Sequence, residues 1–173
     1  RNMFFTDNNT GYAVGSTGAA TVRKTTNGGV NWVSYNNTNP ANTAIYFINN
    51  LTGWVCGGQM VSKTTNGGIN WSDQTVQAEY LKSVSFTNEN HGFCAGAGGD
   101  IFITTNGGTE WVNQSQIYCS SLNSIYMFDQ NNIWIGGDRG VMLKTTNGGV
   151  TFVSNSLNNA PGNFSLKQNF PNP

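Results

Sequence analysis

Asp100 and Asp138 are the two acidic residues whose positions are most suggestive of chemistry. Both fall in Gly-rich turns at equivalent places of adjacent copies of a repeated segment, whereas the other acidic residues are scattered in polar turns. A glycoside hydrolase needs two carboxyl groups facing each other across a sugar, about 5–9.5 Å apart. This pair therefore keeps a carbohydrate-active enzyme as an alternative, although the main expectation is a protein without catalytic residues.

The one histidine and the three cysteines give little indication of a catalytic or metal site. The single histidine, His91, lies in a polar turn, and no neighbouring pattern positions it as a catalytic base. There are three cysteines, Cys56, Cys94 and Cys119, so at least one is unpaired within this chain or pairs outside it. Cys56 and Cys94 are offset by one position in equivalent strands, which predicts opposite strand faces and argues against their pairing. No Cys or His spacing is typical of a metal site, and we expect neither metal nor cofactor.

An eight-residue segment that recurs four times must position these side chains. Its central Asn residues are 39, 40 and 41 positions apart, and each copy closes on an aromatic residue. A period of about 40 residues indicates one supersecondary unit packed against its neighbours. The copies are Thr25–Trp32, Thr64–Trp71, Thr104–Trp111 and Thr145–Phe152.

Each repeat has the pattern of four short strands. An apolar run that ends in Phe, such as Ala44–Phe47 or Ile125–Phe128, is followed by a polar turn, a small-residue strand, a Gly-rich turn and a third strand. Asn-Gly then turns the chain into a fourth strand, as expected of a hairpin that needs positive φ. Turn signals every 8–12 residues are typical of an all-β protein. Four-stranded antiparallel units of about 40 residues match the blades of a β-propeller.

The repeated octet resembles the Asp box (BNR repeat) of sialidases, S/T-x-D-x-G-x-x-W, with Asn in place of Asp. The whole repeat resembles the propeller family of the photosystem II assembly and stability factor, in which K-T-T-N-G-G-x-x-W is typical. The resemblance implies that the Asn side chain bonds to its own turn and that the aromatic ring packs under the hairpin, so these residues are structural. They are Asn27, Trp32, Asn66, Trp71, Asn106, Trp111, Asn147 and Phe152.

We expect four blades over residues 1–154, at about 1–38, 39–78, 79–120 and 121–154, as part of a larger ring or assembly. A linker at 155–163 precedes Phe164–Pro173, which reads F-S-L-K-Q-N-F-P-N-P. This segment resembles the opening of the C-terminal sorting domain of type IX secretion cargo. The resemblance implies a secreted or cell-surface protein of a Bacteroidota-like bacterium.

The charge composition of the chain narrows the classes of molecule that it is expected to bind. Eight basic residues balance eight acidic ones, and charged residues are only 9% of the chain, which disfavours nucleic acid and anionic membranes. No apolar run is long enough to span a membrane. An assembly factor for a membrane protein complex is a further alternative, although the charge balance argues against the basic patch that this alternative would predict.

In the propellers that the repeats resemble, ligands bind on the face opposite the Asp boxes, where the second-to-third-strand turns meet the loops between blades. In this chain the candidate ligand residues on that face are Gln59, Tyr80, Asp100, Tyr118, Asp138 and Arg139. A sialidase would also need an arginine cluster, and only Arg1, Arg23 and Arg139 are present. We therefore expect a non-catalytic binding or structural module for a protein or glycan at the cell surface, with self-association through the exposed edge strands of an open arc.

Overall fold

The computed structural model describes residues 2–15, 21–115 and 120–154. In these residues sixteen strands form four antiparallel sheets, each made of four consecutive strands. The predicted all-β propeller architecture is therefore confirmed. Tyr118, Cys119, the linker at 155–163 and Phe164–Pro173 lie outside the described residues.

The strands of each blade follow one another from the inner edge of the sheet to its outer edge. Blade 1 contains β1 (Asn2–Phe5), β2 (Gly11–Val14), β3 (Thr21–Thr25) and β4 (Val33–Asn36). Blade 2 contains β5 (Ala44–Phe47), β6 (Gly53–Gly57), β7 (Met60–Thr64) and β8 (Ser72–Thr75). Blade 3 contains β9 (Leu81–Phe86), β10 (Gly92–Gly96), β11 (Ile101–Thr104) and β12 (Val112–Asn113). Blade 4 contains β13 (Leu122–Met127), β14 (Ile133–Gly137), β15 (Met142–Thr145) and β16 (Val153–Ser154).

The octet forms the same hydrogen-bonded turn in every blade. In blade 2 the Thr64 hydroxyl donates to Asn66 Oδ1 at 3.0 Å and accepts the Gly68 N–H at 2.9 Å. Asn66 Oδ1 also accepts the N–H of Asn70 at 2.9 Å. The bond from the second Gly N–H to the Thr hydroxyl measures 2.8–3.1 Å across the four copies. One buried hydroxyl and one amide therefore satisfy the polar groups of the turn.

A second turn of each blade is fastened to this octet. The first Gly of the octet donates its N–H to the turn between the first two strands, as Gly28 does to Asn9 O at 2.9 Å. That turn is itself closed by a carboxylate or amide oxygen that accepts two backbone N–H groups, an Asx turn. The closing residues are Asp7, Asn49, Asn88 and Asp129. Both turns therefore lie on one face of the arc. The turns between second and third strands and the loops between blades lie on the opposite face, which we call the loop face.

Three apolar clusters hold the blades together, one in each joint between consecutive sheets. The first cluster joins Tyr12 and Val22 of blade 1 to Ile45 and Phe47 of blade 2. The second centres on Trp54 and Phe86, and the third on Phe93 and Leu143. Since burying a large apolar side chain contributes about 1.5–3 kcal/mol, the core of this protein lies between sheets rather than within one.

The two ends of the arc expose sheet faces. Among the described residues, no fourth cluster joins blade 4 to blade 1. Large apolar side chains are exposed there instead, including Met3 and Phe5 of blade 1 and Tyr126 and Val153 of blade 4. Consecutive blades pack face to face through the three clusters, and self-association through edge strands stays a prediction.

The inner strand of blade 4 has a register that the sequence pattern did not indicate. An apolar run ending in Phe suggested that Phe128 matches Phe5, Phe47 and Phe86. The strand pairing instead aligns Met127 with Ile133, in the place where Phe86 pairs with Gly92. Phe128 follows the strand and is largely exposed.

Candidate functional site

On the loop face, Tyr80 and Asp100 belong to one hydrogen-bonded junction after blade 2. Asp100 Oδ2 accepts the N–H of Glu79 at 2.6 Å, and Tyr80 O accepts the N–H of Ala97 at 2.9 Å. Ala97 begins a 3₁₀ turn, Ala97–Gly99, between the second and third strands of blade 3. The carboxylate of Asp100 therefore ties the loop between blades 2 and 3 to this turn.

Asp138 belongs to a different hydrogen-bond network, which crosses from blade 3 to blade 4. Its Oδ1 accepts from Asn123 Nδ2 at 2.6 Å, and Asn123 Oδ1 accepts from Lys82 Nζ at 3.0 Å. The N–H of Asp138 donates to Ser121 O at 2.8 Å. Asp100 and Asp138 thus have separate partners, and each carboxylate already serves in a junction between blades.

Arg139 has a strained backbone. It is exposed and adopts φ 57° in the 3₁₀ turn Asp138–Gly140, where the equivalent turn of blade 3 has Gly98 at φ 68°. It is the only non-Gly residue with positive φ among the described residues. A left-handed conformation costs an L-residue about 1–2 kcal/mol, so local stability does not explain an arginine here.

Gln59 lies in the tight turn between the second and third strands of blade 2. Its side chain is exposed, while its carbonyl accepts the N–H of Val76 at 2.8 Å. Gly58 O accepts the N–H of Leu81 at 2.7 Å, which fixes this turn against the start of blade 3. The predicted residues on the loop face that lie within the described chain are therefore spread along its rim, mainly at the boundaries between blades.

A cleft on the propeller axis, which the turn-based reasoning missed, is lined by the inner strands of all four blades. The cleft has a volume of about 260 Å³. We call it the axial cleft; its walls are residues 2–4, 44–46, 83–85 and 124–127. Phe4 and Tyr46 lie 5.1 Å apart between ring centroids, and Tyr126 is 63% exposed. The available signal was an aromatic residue at the same inner-strand position in three of the four repeats, Phe4, Tyr46 and Tyr126.

Side chains cover part of the backbone edge around the axial cleft. Asn2 Oδ1 accepts the N–H of Ile45 at 3.4 Å, and Ser83 Oγ accepts the N–H of Ile125 at 3.1 Å. An added peptide strand would have to displace these bonds. The cleft is therefore suited to recognition by side-chain contact rather than by strand addition.

Cys56 and Cys94 are buried, His91 is half-buried, and all three side chains pack against neighbouring residues. Cys56 and Cys94 are free, buried thiols in the cluster between blades 2 and 3. Opposite strand faces of adjacent blades point into the same joint, so the predicted orientation brings the two thiols into one cluster. Burial raises the pKa of Cys56 to about 12 and also raises the pKa of Cys94. His91 is half-buried rather than solvated, its ring lies 5.7 Å from that of Phe93, and burial lowers its pKa.

Residues 2–15, 21–115 and 120–154 contain neither a metal-binding cluster nor a membrane-spanning helix. Within these ranges no group of three or more His, Cys, Asp and Glu residues is arranged to hold a metal ion. The same part of the chain contains no helix with the length and hydropathy of a membrane span.

The comparison with protein families matches the photosynthesis system II assembly factor YCF48 over residues 74–170, which is more than half of the chain. The chain belongs to this family. No curated protein matches it. The predicted propeller family is thus confirmed, while the sorting segment stays a prediction.

Solved propellers resemble this YCF48-family chain at low sequence identity. YCF48 from Cyanidioschyzon merolae has a TM-score of 0.70 and 21% identity over 88% of this chain and 55% of its own. A structure of YCF48 bound to D1 peptide has a TM-score of 0.59 and 21% identity over 66% of this chain and 39% of its own. The Niastella koreensis GH74 enzyme has a TM-score of 0.60 and 16% identity over 84% of this chain and 28% of its own. These likenesses show the fold, and the chain spans less than two thirds of each of these structures.

Proposed function

We propose that this YCF48-family chain is a non-catalytic protein-binding module that assists the assembly of a protein complex by holding a polypeptide segment in the axial cleft. The observation that carries the proposal is the convergence of all four inner strands on one cleft with aromatic walls. Family membership supports it, as does the D1 peptide bound to YCF48 in the related structure. A carbohydrate-active enzyme is not proposed, because Asp100 and Asp138 serve in separate junctions.

The side chains of the axial cleft suit a peptide ligand. Tyr, Phe and Met are enriched at protein interfaces, where a few large side chains carry most of the binding free energy. Tyr126 is an exposed anchor of this kind, and Tyr46 adds a half-buried ring. Ser83 lies on the same wall, and its hydroxyl, which accepts the N–H of Ile125, still has a proton to donate to a ligand. Since the chain is formally neutral, we expect binding that depends little on salt.

A titration of the whole chain with a D1 peptide tests the proposal. Tyr126→Ala should weaken binding tenfold or more, the loss expected when an aromatic hot spot is truncated. Phe128→Ala is the matched control, since this residue is also largely exposed but lies outside the cleft lining. Failure of the peptide to bind saturably, or equal losses in both variants, would contradict the proposed site.

The location of the protein is a separate proposal. We propose export through a type IX route, on the strength of the resemblance of Phe164–Pro173 to the opening of a sorting domain. Fractionation of source cells followed by mass spectrometry should then find the protein in the culture medium or at the cell surface. Recovery in the cytoplasm alone would contradict export and would leave the peptide-binding proposal standing.

A further inference from the structure

A groove opens between the outer strands of blades 2 and 3, at the edge of the sheets away from the axial cleft. Its volume is about 490 Å³, within the range of about 300–1,000 Å³ that is usual for ligand sites. We call it the outer groove; its walls are residues 74–77 of blade 2, with Phe102 and residues 109–113 of blade 3. It shares no lining residue with the axial cleft, so a ligand here would be independent of the peptide proposed above.

The indole of Trp111, which lines the outer groove, is hydrogen-bonded differently from the other indoles of the octets. Trp32 and Trp71 each donate Nε1–H to a glycine carbonyl of their own octet, at 3.1 Å. Trp111 Nε1 instead donates to Gln74 Oε1 of blade 2 at 3.3 Å. This bond crosses the joint and fixes the indole relative to the opposite wall of the groove.

Gln74 reaches blade 3 because the octet has a glycine at the point of contact. A Cβ at Gly108 would stand 2.6 Å from Gln74 Oε1 and 3.4 Å from the Trp111 ring. The strand pairing places Tyr35 at the equivalent position of blade 1. A glutamine bonded to a tryptophan of the next blade is therefore particular to this one of the three described joints.

The apolar part of the outer groove is an aromatic surface with a rigid support. Trp111 is half-buried and packs against the cluster between blades 2 and 3. Phe102 and Val76, which are each 2% exposed, belong to the same cluster and also line the groove. Because its neighbours already hold the indole in place, a ligand would bind it at little cost in side-chain entropy.

The polar part of the outer groove consists of side-chain groups without a protein partner. Among the described residues, no hydrogen bond or ion pair involves the side chain of Gln77 or the carboxylate of Glu110, and both residues are exposed. In Gln74 and Asn113 only the amide oxygens accept bonds, so their NH₂ groups are free to donate. The groove therefore offers three amides and one carboxylate beside an indole.

We propose that the outer groove binds a neutral sugar residue of a glycan. One face of a pyranose ring consists of C–H groups and would stack on Trp111, while the sugar hydroxyls, which both donate and accept, would bond to Glu110 and the free amides. No lysine or arginine is among the described residues that line the groove, and Glu110 would repel an acidic sugar. The charges of the site thus favour a neutral ligand.

A basic peptide side chain is the other ligand that an indole and a carboxylate could hold. Lys and Arg side chains only donate hydrogen bonds, so the NH₂ groups of Gln74 and Asn113 would find no acceptor on them. A sugar hydroxyl can accept from both. The amides of the groove therefore favour a sugar over a basic side chain.

The outer groove is suited to binding a glycan and not to cleaving it. Glu110 is the one acidic residue among the described residues that line the groove. Hydrolysis of a glycosidic bond normally needs two carboxyl groups, one on each side of the bond. The bound sugar should therefore be recovered intact, in agreement with a non-catalytic module.

A glycan array followed by isothermal titration calorimetry of the whole chain tests the proposal. We expect the array to report neutral glycans, and the calorimeter to give one saturable site for the neutral oligosaccharide bound best. Glu110→Ala should raise its dissociation constant about tenfold, because hydrogen bonds to a charged group are lost. Glu89→Ala, the same change at an exposed residue outside the groove, should bind as wild type.

Trp111→Phe separates stacking on the sugar from folding. The octet of blade 4 ends in Phe152, so a phenyl ring is compatible with this turn. The variant loses the indole and its bond to Gln74, and should raise the dissociation constant about tenfold, as truncation of an aromatic hot spot does. Trp32→Phe, the same substitution in the octet of blade 1, is the matched control and should leave sugar binding unchanged.

The same measurements can overturn the proposal. It fails if no neutral glycan binds saturably, if binding is confined to acidic glycans, or if folded Glu110→Ala and Trp111→Phe chains bind the sugar as wild type does. Saturable binding of an oligolysine peptide that displaces the sugar would assign the groove to a basic ligand instead. Displacement of the sugar by the D1 peptide would place it in the axial cleft, whereas failure of that peptide to bind would contradict the proposed function alone.

Discussion

The indole of Trp54 lies stacked on the ring of Phe86, with centroids 3.5 Å and planes 8° apart, so that two residues 32 positions apart join blade 2 to blade 3. Both rings are essentially fully buried. Trp111, the last residue of the octet of blade 3, meets the Phe86 ring edge-on, with ring centroids 6.0 Å apart. This joint therefore links the inner strand and the octet of blade 3 to the sheet before it.

Truncation of this stack should destabilise the whole arc. We expect Trp54→Ala to lower the free energy of unfolding by about 3–5 kcal/mol, since it removes buried surface and leaves a cavity. Urea unfolding followed by circular dichroism measures the change. Trp134→Ala is the matched control and should cost much less, because Trp134 is only half-buried whereas Trp54 is fully buried. Equal losses would contradict the assignment of the core to the joints.

The octet provides a test of a single hydroxyl. Thr64 is buried and bonds to both Asn66 and Gly68, whereas the adjacent Thr65 is exposed. Thr64→Val should cost about 1–3 kcal/mol, because it leaves a buried N–H without its acceptor. Thr65→Val, the same change one position along, should be nearly neutral in the same urea titration. A neutral Thr64→Val would show that the turn does not depend on this hydroxyl.

Acid should weaken the turns that Asp7 and Asp129 close. Hydrogen bonds from the backbone of Thr10 and Asn9 and from the side chain of Asn50 hold the pKa of Asp7 below its usual 3.8. The side chain and backbone of Asn132, with the backbone of Asn131, do the same for the pKa of Asp129. A carboxylate with a lowered folded-state pKa stabilises the protein above its unfolded pKa, and this contribution is lost as the pH falls through the folded value.

We therefore expect part of the loss of stability below about pH 4 to come from these two residues. The double variant Asp7→Asn and Asp129→Asn should flatten the pH dependence of the melting temperature in that range. The chain itself provides the precedent, because Asn49 and Asn88 close the equivalent turns without a charge. An unchanged pH profile would assign the acid sensitivity to other groups.

The buried thiols should be inert in the native protein. Since the thiolate is the reactive form, a pKa of about 12 for Cys56 and complete burial of both Cys56 and Cys94 predict very slow reaction at pH 8. A colorimetric thiol reagent applied to Cys119→Ser should titrate both thiols rapidly in denaturant and almost none without it. Rapid reaction of the folded variant would contradict their burial in the joint between blades 2 and 3.

The fold was predictable because the octet combines a turn signal with a fixed period. Asn-Gly specifies the hairpin, and an aromatic residue five positions after each Asn marks the fourth strand. These local features are read directly from the chain. The axial cleft was not predictable in this way, because it depends on how four inner strands curve around an axis, and curvature is set by packing between sheets.

Particular residues show where local pattern was insufficient. Phe128 looked like the fourth member of the inner Phe series, but Met127 takes that place opposite Ile133. Gly11, Gly53 and Gly92 accommodate a Phe ring across the backbone in the other blades, and blade 4 has Ile133 where they have Gly. Asp138 looked like half of a catalytic pair, but its carboxylate accepts from Asn123 of the same blade, whose own oxygen accepts from Lys82 of blade 3.

Ile103 of blade 3 occupies the position that Lys24 has in blade 1 and Lys63 has in blade 2, so the joint between blades 3 and 4 is the weaker one. Among the described residues, the joint between blades 3 and 4 has no lysine over its aromatic ring, whereas Lys24 lies over Tyr12 and Lys63 lies over Trp54 in the other two joints. In an array whose units contact only their neighbours, fraying starts at the end with the weakest contact. Amide protons of blade 4 would therefore exchange with solvent sooner than those of blade 2, and the joints between blades would open in a preferred order.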